Sequence, residues 1–362
     1  MKQILIQHNE ANQREIALME GKQLLCFEKD GGGGIQAEQI YLGKVDRIVK
    51  GMEACFVKLG KDTVGFLPFA ECIEKPRSGE MLLAQVKKPP VGEKAPYLTG
   101  EIALAGRFLL LTPMTPRIAV SKKIQDEEAR QRLRDMAQGL CPAGMGLVMR
   151  TESEHALEAD IAADLEALLS LWSGILEKRR AAEGPCLLQG REDALRRILR
   201  DEHGEITEIM TDKPEEISGC GLPIRPCPEP FALYNVHAKL EKSMSRKVWL
   251  DCGGYLVIDK TEAMTVIDVN SGKFTGGKSG TESTFLKLNL EAAREIARLM
   301  RLRNMGGIII IDFVDMQTEE SRAAVQSELE QALRDDPVKA VVHGFTRLGL
   351  METTRKKKET AL

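Results

Sequence analysis

No stretch of this 362-residue chain approaches the ~18 consecutive apolar residues that a membrane-spanning helix needs, so no membrane partner is expected. Residues Met1 to Glu10 also lack the apolar core and small-residue cleavage site of a secretory leader, and a cytoplasmic location is expected. Eight cysteines stand at 26, 55, 72, 141, 186, 220, 227 and 252, and no two have Cys-x-x-Cys spacing. That spacing points away from a zinc knuckle or redox motif and toward reduced, mostly buried thiols. Strong charge of one sign is missing too: the net charge is −3. Bulk electrostatics therefore announce no nucleic-acid binder, although a locally basic surface balanced by acidic helices is compatible with that total. The one concentrated basic run, Arg355-Lys356-Lys357-Lys358, reads as a solvated tail.

What is present is a globular balance of 43% hydrophobic and 29% charged residues, at a length ample for two to four compact units. Ile4, Ile6, Glu15 to Leu18 and Leu24 to Phe27 suggest short strands closed by the glycine run Gly31 to Gly34, too small to fold without docking on a later segment. Between Ile35 and Ile102, five short strands with glycine-marked turns fit a small Greek-key barrel. Residues Ala105 to Cys186 mix strands (Phe108 to Leu111, Ile118 to Val120, Gly146 to Thr151) with helices (Asp126 to Gln138, Leu157 to Arg180). From Leu187 to about Glu241 one helix, Asp193 to Arg200, precedes a loop-like stretch with five prolines.

The last segment carries the strongest signal. Gly253 to Asp259 and Ala263 to Val269 read as paired strands, and Glu282 to Asn304 as a long helix with a capping box at Ser279 and Glu282 and a stop at Gly306-Gly307. Gly307 to Asp312 is a continuous apolar run, the pattern of a strand covered on both faces. A helix at Glu319 to Asp335 and a strand at Val338 to Val342 follow.

The two-residue strand period puts Val266, Asp268 and Asn270 on one side. A strand–helix–strand unit with parallel strands brings Asp312 to the same sheet edge. Two ionised carboxylates so placed repel each other. A hard divalent cation, magnesium with manganese as the alternative, resolves the repulsion with oxygen ligands and retained waters, and can act on a phosphodiester. The competing reading makes Asp268 a turn residue and Asp312 an N-cap. Asp315 is a further carboxylate, which the strand period turns the other way.

In the barrel, Phe56 and Phe66 are candidates for stacking on bases, with Lys44, Lys58 and Lys94 along the backbone track, or else for core packing. Gly272 to Ser279 satisfies Gly-x-x-x-x-Gly-Lys-Ser, which keeps a P-loop-like nucleotide hydrolase open. No base-specifying element accompanies it.

The ordered pieces Met52-Glu53-Ala54-Cys55-Phe56-Val57, Gly65-Phe66-Leu67-Pro68, Gly144 to Thr151, Thr261-Glu262-Ala263 through Ile267-Asp268-Val269-Asn270-Ser271, Asn289 to Ala293, Gly306 to Met316 and Arg347 to Glu352 resemble the ribonuclease E/G family across essentially the whole chain. The resemblance implies an α/β, multi-subdomain catalytic half. A ribonuclease H-like portion would be split between 1–35 and 187–242, with an RNA-binding OB-fold of the ribosomal-protein S-one type over 36–104. A 5′-sensor over 105–186 and a deoxyribonuclease I-like catalytic subdomain over 243–362 complete it. It further implies magnesium on Asp268 and Asp312 with Asn270 in the catalytic set, an RNA channel at Phe56, Phe66 and Lys94, and a 5′-monophosphate grip at Arg150 and Thr151.

The implied activity is metal-dependent internal hydrolysis of single-stranded RNA, leaving 5′-phosphate and 3′-hydroxyl ends, in RNA processing or decay, with 5′-monophosphorylated substrates preferred. One departure stands out: the family's Cys-Pro-x-Cys zinc link and small dimerisation domain are not found in this sequence, which stops at Leu362, just after the closing strand. No zinc and no zinc-linked dimer are expected, and a monomer or weak dimer is. An RNA-binding maturation factor that cuts poorly is the alternative.

Overall fold

A computed structural model describes residues 1–30, 34–61, 63–90, 92–202, 205–218, 220–272 and 281–356. It is a mixed α/β protein whose chain divides into two compact units, Met1–Gly32 with Ala194–Leu362, and Gly33–Asp193. Among the described residues no helix is long and apolar enough to cross a membrane.

Among the described residues, the first unit contains two sheets. One runs in the order Ile224–Pro226, Ile206–Thr211, Lys2–His8, Arg14–Glu20, Gln23–Lys29. Its two N-terminal hairpins are antiparallel, whereas Lys2–His8 pairs in parallel with Ile206–Thr211. The opening segment thus docks on a strand some 200 residues later, because its residues are apolar on both sides. Ile4, Ile6, Ile16 and Leu18 pack beside Leu195 and Ile198, while Leu5, Met19 and Phe27 pack beside Phe231 and Leu302. Each such fully buried side chain contributes roughly 1.5–3 kcal/mol.

Two strands occupy the proline-rich stretch expected to be loop. Ile206–Thr211 precedes the first proline, and Ile224–Pro226 is the outermost strand of its sheet, where a missing N–H is tolerated.

The second sheet runs Lys247–Trp249, Tyr255–Lys260, Met264–Asn270, Gly307–Asp312, Met351–Arg355, Ala340–Phe345. The helices Thr281–Leu302 and Glu319–Ala332 cover one face, built on Leu288, Ala292, Ile296, Leu299, Val325 and Leu329. The opposite face is open. Burial along Gly307–Asp312 alternates, and Ile308 is 47% exposed. The run of isoleucines therefore does not mark a strand covered on both sides; four consecutive apolar residues supply two to the core and two to the open face.

The basic run also differs from its expectation. Arg355 is buried as the last residue of its strand, where its guanidinium grips Asp336 through Nε (2.7 Å) and Nη2 (3.1 Å) and donates to the Met305 carbonyl. Lys357 and Lys358 lie outside the described residues.

In the second unit, Ile40–Val49, Ala54–Lys58, Val64–Pro68, Tyr97–Thr99 and Met81–Lys88 pair in that order, and the first and last pair again to close an OB-like barrel. Its interior is narrow: a Cβ on Gly43 would stand 2.4 Å from Val57, and one on Gly65 would stand 2.4 Å from Leu98. A four-stranded sheet, Ile118–Val120, Gly146–Met149, Leu109–Thr112, Leu104–Ala105, packs with the helices Glu127–Leu140 and Glu158–Ala181 around Leu133, Leu165 and Trp172. The chain then returns as Cys186–Gln189 to pair with the first barrel strand.

Candidate functional site

The acidic site is built by register. Tyr255–Lys260 and Met264–Asn270 form an antiparallel hairpin, and the helix Thr281–Leu302 carries the chain back to lay Gly307–Asp312 parallel to Met264–Asn270. Asp268 and Asp312 are direct register partners in that parallel pair. Thr265, Ile267 and Val269 are buried against the helices, while Asp268 is exposed and Asn270 half-buried on the open side. The Asn270 amide donates to Asp268 Oδ2 at 2.7 Å, fixing that carboxylate's orientation. Gly254 permits the close packing behind it, since a Cβ there would lie 2.9 Å from the Asn270 carbonyl and 2.4 Å from Leu288.

The Asp312 carboxyl is held above the usual carboxylate range, first by partial desolvation and then by the negative charges of Asp268 and Asp315. Because Asp312 remains largely exposed, water screens much of this effect. The strand period turns Asp315 the other way, but the strand ends at Asp312, so that period no longer governs it, and its charge reaches Asp312. Among the described residues, no three His, Cys, Asp or Glu side chains converge as a closed metal cage.

The capping box expected at Ser279 and Glu282 lies partly outside the described residues, and Glu282 has partners on a later segment. Its carboxylate accepts from the Gln317 and Thr318 backbone N–H groups at 3.0 and 3.3 Å, next to the start of the helix Glu319–Ala332. Ser279 and most of the Gly-Lys-Ser loop, residues 273–280, lie outside the described residues.

In the barrel, Phe56 and Phe66 are half-buried cross-strand partners with ring centroids 5.7 Å apart. Two residues not singled out in the sequence extend them: Tyr97 lies 6.0 Å from Phe66, and the Arg47 guanidinium lies 4.9 Å over the Phe56 ring. Lys88 stands 6.0 Å over Tyr97. Only the closed barrel puts these five side chains on one surface, which is why spacing alone did not show Arg47, Lys88 and Tyr97. Lys94 is exposed two residues before Pro96, whose carbonyl accepts from the Phe66 N–H at 2.8 Å. Lys44 is exposed, and Lys58 is paired with Asp46 at 2.8 Å.

Arg150 and Thr151 follow the strand Gly146–Met149. The Arg150 guanidinium donates to the Gly106 carbonyl, and the Thr151 hydroxyl lies 3.1 Å from that of Ser121.

One unit thus presents a closed OB-like barrel with a cationic aromatic surface, and the other an acidic pair on an open sheet face, within a mixed α/β protein. A sequence profile described as the Ribonuclease E/G family matches residues 103–221 and 224–358. The proteins named Ribonuclease G of Escherichia coli strain K12 and of Haemophilus influenzae are 36% and 35% identical to it, covering 96% and 97% of this chain and 78% and 79% of theirs. The Ribonuclease E of Nostoc sp. is 35% identical over 98% of this chain and 56% of its own length. The chain belongs to the ribonuclease E/G family.

Proposed function

We propose that the protein hydrolyses single-stranded RNA internally at the open acidic face, in a magnesium-dependent reaction that leaves 5′-phosphate and 3′-hydroxyl ends. The observation that carries this reading is the direct pairing of Asp268 with Asp312.

The donor set fits a hard divalent ion. Two adjacent carboxylates, one oriented by an amide, offer oxygen ligands on a solvent-facing surface where the ion keeps several waters. The absence of a closed cage among the described residues suits magnesium, which is commonly held by one or two carboxylates plus phosphate oxygens; manganese suits the same donors. Asp268 and Asp312 would hold the ion, which when bound offsets phosphodiester charge and activates water.

The chain's own residues do the positioning. Asn270 keeps Asp268 aimed while leaving it one oxygen free of that bond. The two carboxylates accept hydrogen bonds from the attacking water and so align it with phosphorus. Attack breaks the bond to the 3′ oxygen, which leaves as the hydroxyl after taking up a proton.

The barrel would bind the single strand by stacking on Phe56, Phe66 and Tyr97, with Arg47, Lys88 and Lys94 serving the phosphates. Arg150 and Thr151 would grip a 5′-monophosphate, giving a preference for such substrates and a role in RNA processing or decay.

The test is incubation of the purified protein with a 5′-labelled A/U-rich oligonucleotide, with and without magnesium. Internal cuts that require the metal and vanish in Asp268→Asn are expected. A gel shift without products would leave an RNA-binding maturation factor instead.

A further inference from the structure

The open face of the acidic sheet carries a second cluster. Trp249 is 58% exposed, whereas the other tryptophan of the chain, Trp172, is buried. The Trp249 ring lies 5.2 Å from that of Tyr255, its direct cross-strand partner. Over both stands the Lys247 ammonium, 4.3 Å from the Trp249 centroid and 3.6 Å from that of Tyr255. The loop backbone closes on Tyr255 from elsewhere: Gly272 has a φ of +57°, and a Cβ there would come within 3.2 Å of the ring.

Register ties this cluster to the acidic pair. Tyr255 pairs with Asn270, so Trp249, Tyr255 and Asn270 form one row across three strands. Lys247, Val257, Asp268 and Asp312 form the next row, with the cation at one end and the carboxylates at the other. Lys247 is two strand spacings from Asp268, on the order of 10 Å, within reach of a nucleotide adjoining one whose phosphate sits at the pair.

We infer that Trp249 and Tyr255, with Lys247, form a base-stacking subsite for a nucleotide of single-stranded RNA next to the scissile phosphate. The inference rests on the cleavage reading for its location, while its binding claim stands on its own. An indole face is a sequence-tolerant platform for any base, and an adjacent ammonium retains N–H donors for a phosphate. The same face carries Asp268, Asp312 and Glu352, while Asp259 is paired with Arg246 at 2.6 Å, so a polyanion approaching the acidic pair needs a cation at hand, and Lys247 supplies one. A charge in the middle of the aromatic pair also speaks against an apolar protein interface, whose core is depleted of charge. Bases paired in a duplex are already stacked, so the subsite selects single strands.

The test is tryptophan fluorescence and binding of a short A/U-rich RNA in EDTA, where no cleavage occurs, with wild type, Trp249→Ala, Trp249→Phe and Lys247→Gln, each checked for folding by circular dichroism. Saturable quenching by single-stranded RNA is expected in wild type and absent from Trp249→Ala, whose dissociation constant rises about tenfold. Phenylalanine should restore most of the affinity, and Lys247→Gln should flatten the log–log salt slope by about 0.7. If Trp249→Ala binds like wild type and no quenching is seen while wild type still cuts RNA, the subsite is refuted and the cleavage reading survives. If wild type quenches but never cuts, the subsite stands and the cleavage reading falls. If the substitution changes only the sedimentation of the protein, the cluster is a self-association surface and the inference is overturned.

Discussion

Asn289 holds Val314 by both of its backbone polar groups: the side-chain amide donates to the Val314 carbonyl at 2.7 Å, and the side-chain oxygen accepts from the Val314 N–H at 3.1 Å. Asn289 is fully buried on the long helix, and Val314 lies in the loop that leaves Asp312. The helix that connects the two acidic strands therefore also sets where the second one ends. Asn289→Leu should leave both Val314 groups unpaired near the core and cost about 1–3 kcal/mol for each group that water does not reach. Urea denaturation should show the loss, with RNA cleavage falling more than RNA binding. Equal stability of the variant and wild type would remove the clamp.

Asp312 should trade stability for function. Its carboxyl is raised, so the ionised form disfavours the fold. That unfavourable contribution is absent below the ordinary value of 3.8, grows as pH rises through the folded value, and is complete at neutral pH. In EDTA at neutral pH, Asp312→Asn should melt at the same temperature as wild type or higher. Cleavage should fall by more than about a hundredfold, with RNA binding retained. A variant that melts lower and cuts normally would contradict both halves.

Arg150→Ala should selectively reduce the rate advantage of a 5′-monophosphate over a 5′-hydroxyl substrate. Paired cleavage assays read this directly; equal losses on both substrates would assign Arg150 to structure alone, through its bond to Gly106.

For the barrel, Phe66→Ala should weaken single-stranded RNA by about 1–3 kcal/mol, because it removes the ring between Phe56 and Tyr97. Titration against labelled oligonucleotide checks this, and undiminished affinity would confine Phe66 to packing.

A pH effect is expected where no chemistry is proposed. Burial tends to raise the Asp212 carboxyl, but the His8 backbone N–H at 2.9 Å, its ring at 3.0 Å and its charge together hold it below the usual range. The stabilisation is thus fully present above the ordinary value of 3.8 and lost as pH falls through the lower folded value. Asp212→Asn should destabilise by about 1–3 kcal/mol at neutral pH, the gap from wild type closing in acid. A gap independent of pH would disprove the linkage.

The sequence made the acidic edge legible because two local patterns sufficed: alternation around Asp268, and an apolar run ending at Asp312 after a helix of crossover length. The barrel was legible from its turns. What escaped depends on distant partners. Ile206–Thr211 becomes a strand beside Lys2–His8, 200 residues away. Arg355 is drawn inside by Asp336. Arg47 and Tyr97 gain meaning only once the barrel closes. Trp249, a single aromatic in a three-residue strand, carries no periodic signal, and its relation to Asp268 exists only through two intervening strand pairings.

The return of Cys186–Gln189 to the barrel has a practical consequence. Ile40 and Leu42 are bonded on one flank to Met81–Lys88 and on the other to this late segment. Excising 36–104 as an independent binding module would strip that second flank and expose raw hydrogen-bonding edge to any neighbouring chain. A fragment spanning 33–193 keeps the seam sewn, and should remain monodisperse where the shorter piece aggregates.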